Sequence, residues 1–170
     1  DWSSDVCSSD LAAMAMSSND DAHSVAAMGL ATLCNAPGAS PALMTRVALP
    51  ALIRLARSTK ADTQCAALDA LSTLSGSPQV QLDLVRMGAL KVLLERAATA
   101  GADNSDIRAL ALACLQNVAS NGSNMAQLEG AEVATRLKGL KAHMRDDVVV
   151  GRAVDAILRS ISTISTLLEL

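Results

Sequence analysis

Apolar and polar positions along this chain repeat at a long period. Residues 25–35 read VAAMGLATLCN, 66–76 read AALDALSTLSG, 110–120 read LALACLQNVAS and 152–162 read RAVDAILRSIS. The second position of each stripe is Ala26, Ala67, Ala111 or Ala153. The fifth is small (Gly29, Ala70, Cys114, Ala156) and the sixth a large aliphatic (Leu30, Leu71, Leu115, Ile157). The ninth is Leu33, Leu74 or Val118, and lapses at Ser160. This i, i+3, i+4, i+7 spacing predicts four helices, each with one buried face and a gap for a close neighbour. The steps between stripes are 41, 44 and 42 residues, a period that implies stacked helical units.

A second pattern lies between the stripes. Residues 48–56 (ALPALIRLA), 88–96 (GALKVLLER) and 130–138 (GAEVATRLK) predict helices of medium length. Shorter apolar segments precede them at 41–46, 78–87 and 124–129. Ser40-Pro41 and Ser77-Pro78 are helix-start signatures, with Ser as N-cap and Pro at the first helical position. Asn121-Gly122-Ser123 takes the same role in the last unit. One unit therefore reads as a short helix, a bend at Gly88 or Gly130, a medium helix, a polar loop and a long helix. The loops fall at 58–62, 101–106 and 145–147.

A three-helix unit of this length, with Gly-Ala-Leu opening its second helix and ACLQNVAS in its third, resembles the armadillo repeat. The likeness is strongest over 78–120, good over 39–76, and weaker over 121–162, where Glu132 takes the place of an aliphatic. A two-helix HEAT-type repeat has a similar period; the short first helix and its glycine bend favour the armadillo type. The resemblance implies an all-α fold, a right-handed α-solenoid of about 3.5 to 4 three-helix repeats. Its units are 12–36 (partial), 37–76, 77–120 and 121–162, with 163–170 a tail or truncated continuation.

The first eleven residues, DWSSDVCSSDL, read as the in-frame translation of a common sequencing-library adapter. They are expected to be foreign and disordered, and the chain to be a fragment lacking its own start. Setting them aside changes the composition. The chain has 17 acidic and 14 basic residues; without Asp1, Asp5 and Asp10 its formal charge is zero. It then has no electrostatic footprint for nucleic acid or anionic lipid. The only Trp, Trp2, is also in this segment, and there is no Phe or Tyr. Base-stacking platforms and aromatic interface anchors are therefore missing. The longest apolar run, Ala109 to Leu115, is far short of a membrane span.

Candidate chemistry is sparse. Cys34, Cys65 and Cys114 fit no zinc or redox spacing and are expected to fill core positions in a reducing compartment, the cytoplasm or nucleus. His23 and His143 are expected at the surface or in loops, and 103–106 (DNSD) lacks the glycine and distal Glu of a calcium loop. No catalytic, metal or cofactor set emerges, and no small-molecule substrate.

The armadillo resemblance instead implies a groove lined by the third helices, in which an Asn at the eighth stripe position bonds the backbone of an extended partner. That position is Thr32, Thr73, Asn117 and Arg159; four residues earlier stand Met28, Asp69, Ala113 and Asp155. Only Asn117 keeps the family's Asn, and none of the four earlier positions holds the Trp of nuclear-import adaptors, so classical nuclear-localisation cargo is not expected. Asn117 could equally serve a helix end, Asp69 a solvated face, and Asp155 with Arg159 an exposed i, i+4 ion pair. The expected function is a non-catalytic scaffold for a protein or peptide partner. Two alternatives stay open: the substrate-recruiting arm of a larger enzyme such as a ubiquitin ligase, or a segment of a long cytoskeletal or ciliary repeat protein.

Overall fold

The computed structural model describes residues 2–17, 19–34, 44–99 and 104–168. The described residues form ten α-helices and no strand. They separate into two compact units, Asp1–Leu74 and Ser75–Leu170. The boundary falls where one stripe ends and the next helix start is expected.

The first unit contains α1 (Trp2–Met16), α2 (Asp20–Cys34), α3 (Leu49–Leu55) and α4 (Ala61–Leu74). Residues 2–11, expected to be disordered, belong to α1. Cys7, Ser9 and Asp10 are exposed there, while Leu11 approaches Gly29 and Ala15 is fully buried. A side chain at Gly29 would place its Cβ 2.8 Å from the Leu11 methyl carbons. The gap anticipated at the fifth stripe position therefore receives α1. The stripes form α2 and α4, and these lie side by side in the same direction. Lys60 meets Asp21 (2.7 Å) and Ser24 meets Thr63 (2.8 Å), the same 39-residue offset at successive turns. A π-helical turn, Met44–Ala48, runs directly into α3 without a glycine bend. The start signature at Ser40-Pro41 lies outside the described residues.

The second unit contains α5 (Pro78–Arg86), α6 (Ala89–Ala97), α7 (Ser105–Ala119), α8 (Met125–Gly130), α9 (Val133–His143) and α10 (Val148–Leu168). Helix α7 packs on α5, α6 and α10. Leu112, Leu115 and Val118 of α7 meet an interior that includes Leu84, Leu93, Leu128 and Leu137, all buried. Helix α10 continues to Leu168, so residues 163–168 belong to the last helix and not to a separate tail. Besides the predicted face, the third position of every stripe is buried: Ala27, Leu68, Leu112 and Val154.

Buried amide side chains close the polar junctions. Gln64 Nε2 donates to the carbonyl of Ser58, Gln81 Nε2 to that of Ser75 (2.8 Å), and Asn124 Nδ2 to that of Val118 (3.1 Å). Each acceptor stands six residues earlier. The Val118 carbonyl, in the last turn of α7, also accepts from the Asn121 amide (3.3 Å). Asn121 accepts from Ser123 N (3.1 Å), as its N-cap reading required. Ser77 has the extended backbone of an N-cap before Pro78 but makes no side-chain capping bond.

The bends differ from expectation at one place. Gly88 is left-handed (φ 75°) between α5 and α6, as predicted. Between α8 and α9 the left-handed residue is Glu132 (φ 52°), while Gly130 ends α8. Glu132 thus replaces a glycine and not an aliphatic, and its side chain is exposed. A left-handed non-glycine residue costs about 1–2 kcal/mol, partly offset by the greater chain entropy of glycine in the unfolded state. Glu132→Gly is expected to raise stability by about 0.5–1 kcal/mol. Gly88→Ala is expected to lower it by about 1–2 kcal/mol through backbone strain, since nothing lies within 4 Å of the added Cβ. Urea unfolding of both variants checks the pair; a destabilised Glu132→Gly would refute the strain assignment.

Candidate functional site

Helices α7 and α10 leave an open cleft of about 410 Å³ on the surface of the second unit. Its wall on α7 includes Ala109, Ala113 and Gln116; its wall on α10 includes Val149 and Ala153. Ala109, Ala113 and Gln116 recur at i, i+4 and i+7, so one face of α7 supplies them all. Ala109, Ala113 and Ala153 are small, so these parts of the wall leave space open at the surface. Val149 is exposed, making that part of the rim apolar.

One end of the cleft is charged. Arg108 is nearly fully buried and donates to the carbonyl of Thr99 (3.1 Å). Its other terminal nitrogen lies 3.5 Å from Asp147 Oδ2. Asp147 Oδ1 also accepts from the amide of Val150 (3.0 Å), capping the first turn of α10. The carboxylate therefore ties the start of α10 to α7 and fixes the mouth of the cleft.

The predicted groove residues divide. Ala113 is exposed in the cleft wall. Asn117 lies one turn beyond, half-buried, and donates through Nδ2 to Ser75 Oγ (2.9 Å). Ser75 is fully buried, and its carbonyl already serves Gln81. Asn117 thus helps hold the start of the second unit against α7. Asn117→Ala would disturb folding and binding together, so it cannot separate them.

Asp155 and Arg159 are not brought to the cleft. At about 100° of turn per residue they lie about 200° and 240° around α10 from Ala153. Asp155 pairs with Lys141 of α9 (2.5 Å), where the sequence suggested Arg159 one turn along its own helix. In the first unit Met28 and Thr32 are exposed on α2, as are Asp69 and Thr73 on α4. The Thr32 hydroxyl is turned back to the carbonyl of Met28 (2.8 Å).

Sequence reasoning missed Gln116 and Val149. The signal for Gln116 was present, since it follows Ala109 by seven residues on one helical face. Val149 depends on how α10 docks, which no local pattern specifies.

The cysteines are consistent with filling. Cys114 is buried, and desolvation pushes its thiol up to about 12, outweighing a hydrogen bond with Ser75 that acts the other way. A thiol held protonated in this way is a poor nucleophile. Cys65 is half-buried, and the side chain of Cys34 lies outside the described residues. Among the described residues no cluster of three or more His, Cys, Asp or Glu could hold a metal ion, and no helix is long and apolar enough to cross a membrane.

Residues 41–76 match the armadillo/beta-catenin-like repeat. No curated protein matches the chain. Among solved structures, a designed armadillo repeat protein in complex with the peptide (KR)4 is 18% identical with a TM-score of 0.76, the match covering 90% of this chain and 63% of that one. A computationally designed armadillo repeat protein for modular peptide recognition is 19% identical with a TM-score of 0.76, over 89% of this chain and 63% of its own. An engineered protein is 22% identical with a TM-score of 0.74, over 91% and 62%. The chain therefore spans less than two thirds of each of these structures. It carries one matched repeat at residues 41–76 and has the fold of the armadillo-repeat family.

Proposed function

We propose that this chain is a non-catalytic scaffold that binds an extended segment of a protein partner on the exposed faces of its third helices. In the first unit these faces belong to α2 and α4. In the second they belong to α7 and α10, where the cleft beside Ala113 is the contact point. The observation that carries the reading is this cleft, open and walled in part by Ala109, Ala113 and Ala153. Such a site admits a partner's backbone and side chains, while the polar Gln116 at its wall offers donors and acceptors to an extended chain. The likeness to designed armadillo proteins, one of them in complex with a peptide, supports a peptide as the partner class. With no aromatic side chain on these faces, single contacts are weak, and affinity accumulates over several of them.

Ala113→Arg tests the reading without touching the core, because Ala113 is exposed. The parent protein is expected to enrich extended sequences from a randomised peptide library. The Arg variant should bind the enriched peptides about tenfold or more weakly, a change of about 1.4 kcal/mol, with an unchanged thermal transition. Equal affinity in the two proteins would move the binding site away from α7 and α10.

A further inference from the structure

A second cavity lies within the first unit, at the loop that joins α3 to α4. It holds about 360 Å³ and is lined by His23, Arg54, Leu55, Arg57, Ser58 and Thr59. Two arginines, a histidine, a serine and a threonine thus meet around Leu55, and none of these lining residues carries a carboxylate. The nearby Asp21 is engaged elsewhere. Lys60 donates to its Oδ1 (2.7 Å), and that hydrogen bond and charge hold the Asp21 carboxyl below its usual range. Asp62 is exposed in the first turn of α4 and is not part of the lining.

Arg54 and His23 are held in place by the end of α1. Arg54 Nε donates to the carbonyl of Ala15 (3.0 Å), and one terminal nitrogen donates to that of Ser17 (3.1 Å). His23 Nε2 donates to the same Ser17 oxygen (2.9 Å), since a carbonyl can only accept. The positive Arg54 guanidinium at the helix C-terminus complements the carbonyl dipoles there, so its bonds cost little to maintain. They use two of the five N–H groups of Arg54. Arg57 stands exposed on the loop. The hydroxyl oxygen of Ser58 accepts from Lys60 N (3.1 Å), which leaves its hydrogen available to donate.

We propose that this cavity binds the phosphoryl group of a phosphate monoester. The planar forks of two arginines match the spacing of phosphate oxygens, and charge-assisted bonds of this kind are the strong ones. The hydroxyls of Ser58 and Thr59 supply further donors. A free phosphate ester and a phosphorylated side chain on a partner present the same group, so both are sources of the ligand. This site and the cleft of the second unit stand or fall separately.

Calorimetric titration of the full chain tests the proposal. The probes are glycerol 3-phosphate and a short peptide carrying phosphoserine, each paired with its unphosphorylated form. Saturable binding of at least one phosphorylated probe, without binding of its unphosphorylated form, is expected, and the tighter arm identifies the source. Arg57→Gln should weaken that binding by about tenfold or more, with Arg57→Lys restoring part of it. The circular-dichroism melting curve should not move, because the Arg57 side chain is exposed. Binding that is equal in the Gln variant, or absent with both phosphorylated probes, overturns the proposal.

Discussion

Leu115→Ala is expected to cost about 2–5 kcal/mol, the range seen when a buried leucine is truncated and its cavity cannot collapse. Leu115 is fully buried at the sixth position of its stripe. Its helix, α7, packs on α5, α6 and α10, so relaxation around the cavity would have to move several helices at once. In a stacked repeat each unit depends on its neighbours, and the loss should therefore spread through the second unit. Urea denaturation followed by circular dichroism measures it. Amide exchange should show protection falling in α6, α7 and α10 together. A loss below about 1 kcal/mol would mean that the stripe does not form the core of this unit.

The second large effect is expected at a polar residue. Asp147 caps α10 through the Val150 amide and faces the nearly buried Arg108. Removing an N-cap side chain costs about 1 kcal/mol, and withdrawing the partner of a buried charge costs more. Asp147 is itself partly exposed, so the pair is worth less than a fully buried one. Asp147→Ala is expected to destabilise by about 2–3 kcal/mol, combining both losses. Asp147→Asn keeps an oxygen for the cap and loses only the charge, so its cost should be smaller. A cycle with Arg108→Met separates the two contributions. If Asp147→Ala costs the same whether residue 108 is Arg or Met, the ion pair contributes nothing and the cap is the whole effect.

Much of this architecture is legible along the chain. The stripes that begin at residues 25, 66, 110 and 152 start within α2, α4, α7 and α10, and those helices hold the first nine positions of each. The reason is local: a helix must bury one face, and a period of 3.6 residues marks that face in any sequence. Gly88 is legible for a similar reason, because only glycine adopts a left-handed bend at low cost.

The bend at Glu132 was hidden by a stronger cue. Gly130-Ala131 resembles Gly88-Ala89 and suggested a glycine bend two residues too early. Counting from the caps finds the right residue, since Ser77 precedes Gly88 by the same eleven positions that separate Asn121 from Glu132. Here the tertiary structure overrides the residue's own preference.

The candidate site was only half legible. Ala113 and Asn117 follow from the stripe of α7, where a single apolar face is well defined. In α10 two overlapping faces compete, one through Ala153 and Ala156, the other through Val154 and Ile157. Packing on α7 and α9 buries Val154 and Ile157, which turns Asp155 toward Lys141 and away from the cleft. The inward bond from Asn117 to Ser75 likewise joins residues 42 positions apart. Periodicity along one helix thus determined which segments are helical and roughly which face each buries. The docking of α10, the left-handed Glu132 and the partners of Asn117 and Asp155 were decided only in three dimensions, because each depends on atoms contributed by a different repeat or helix.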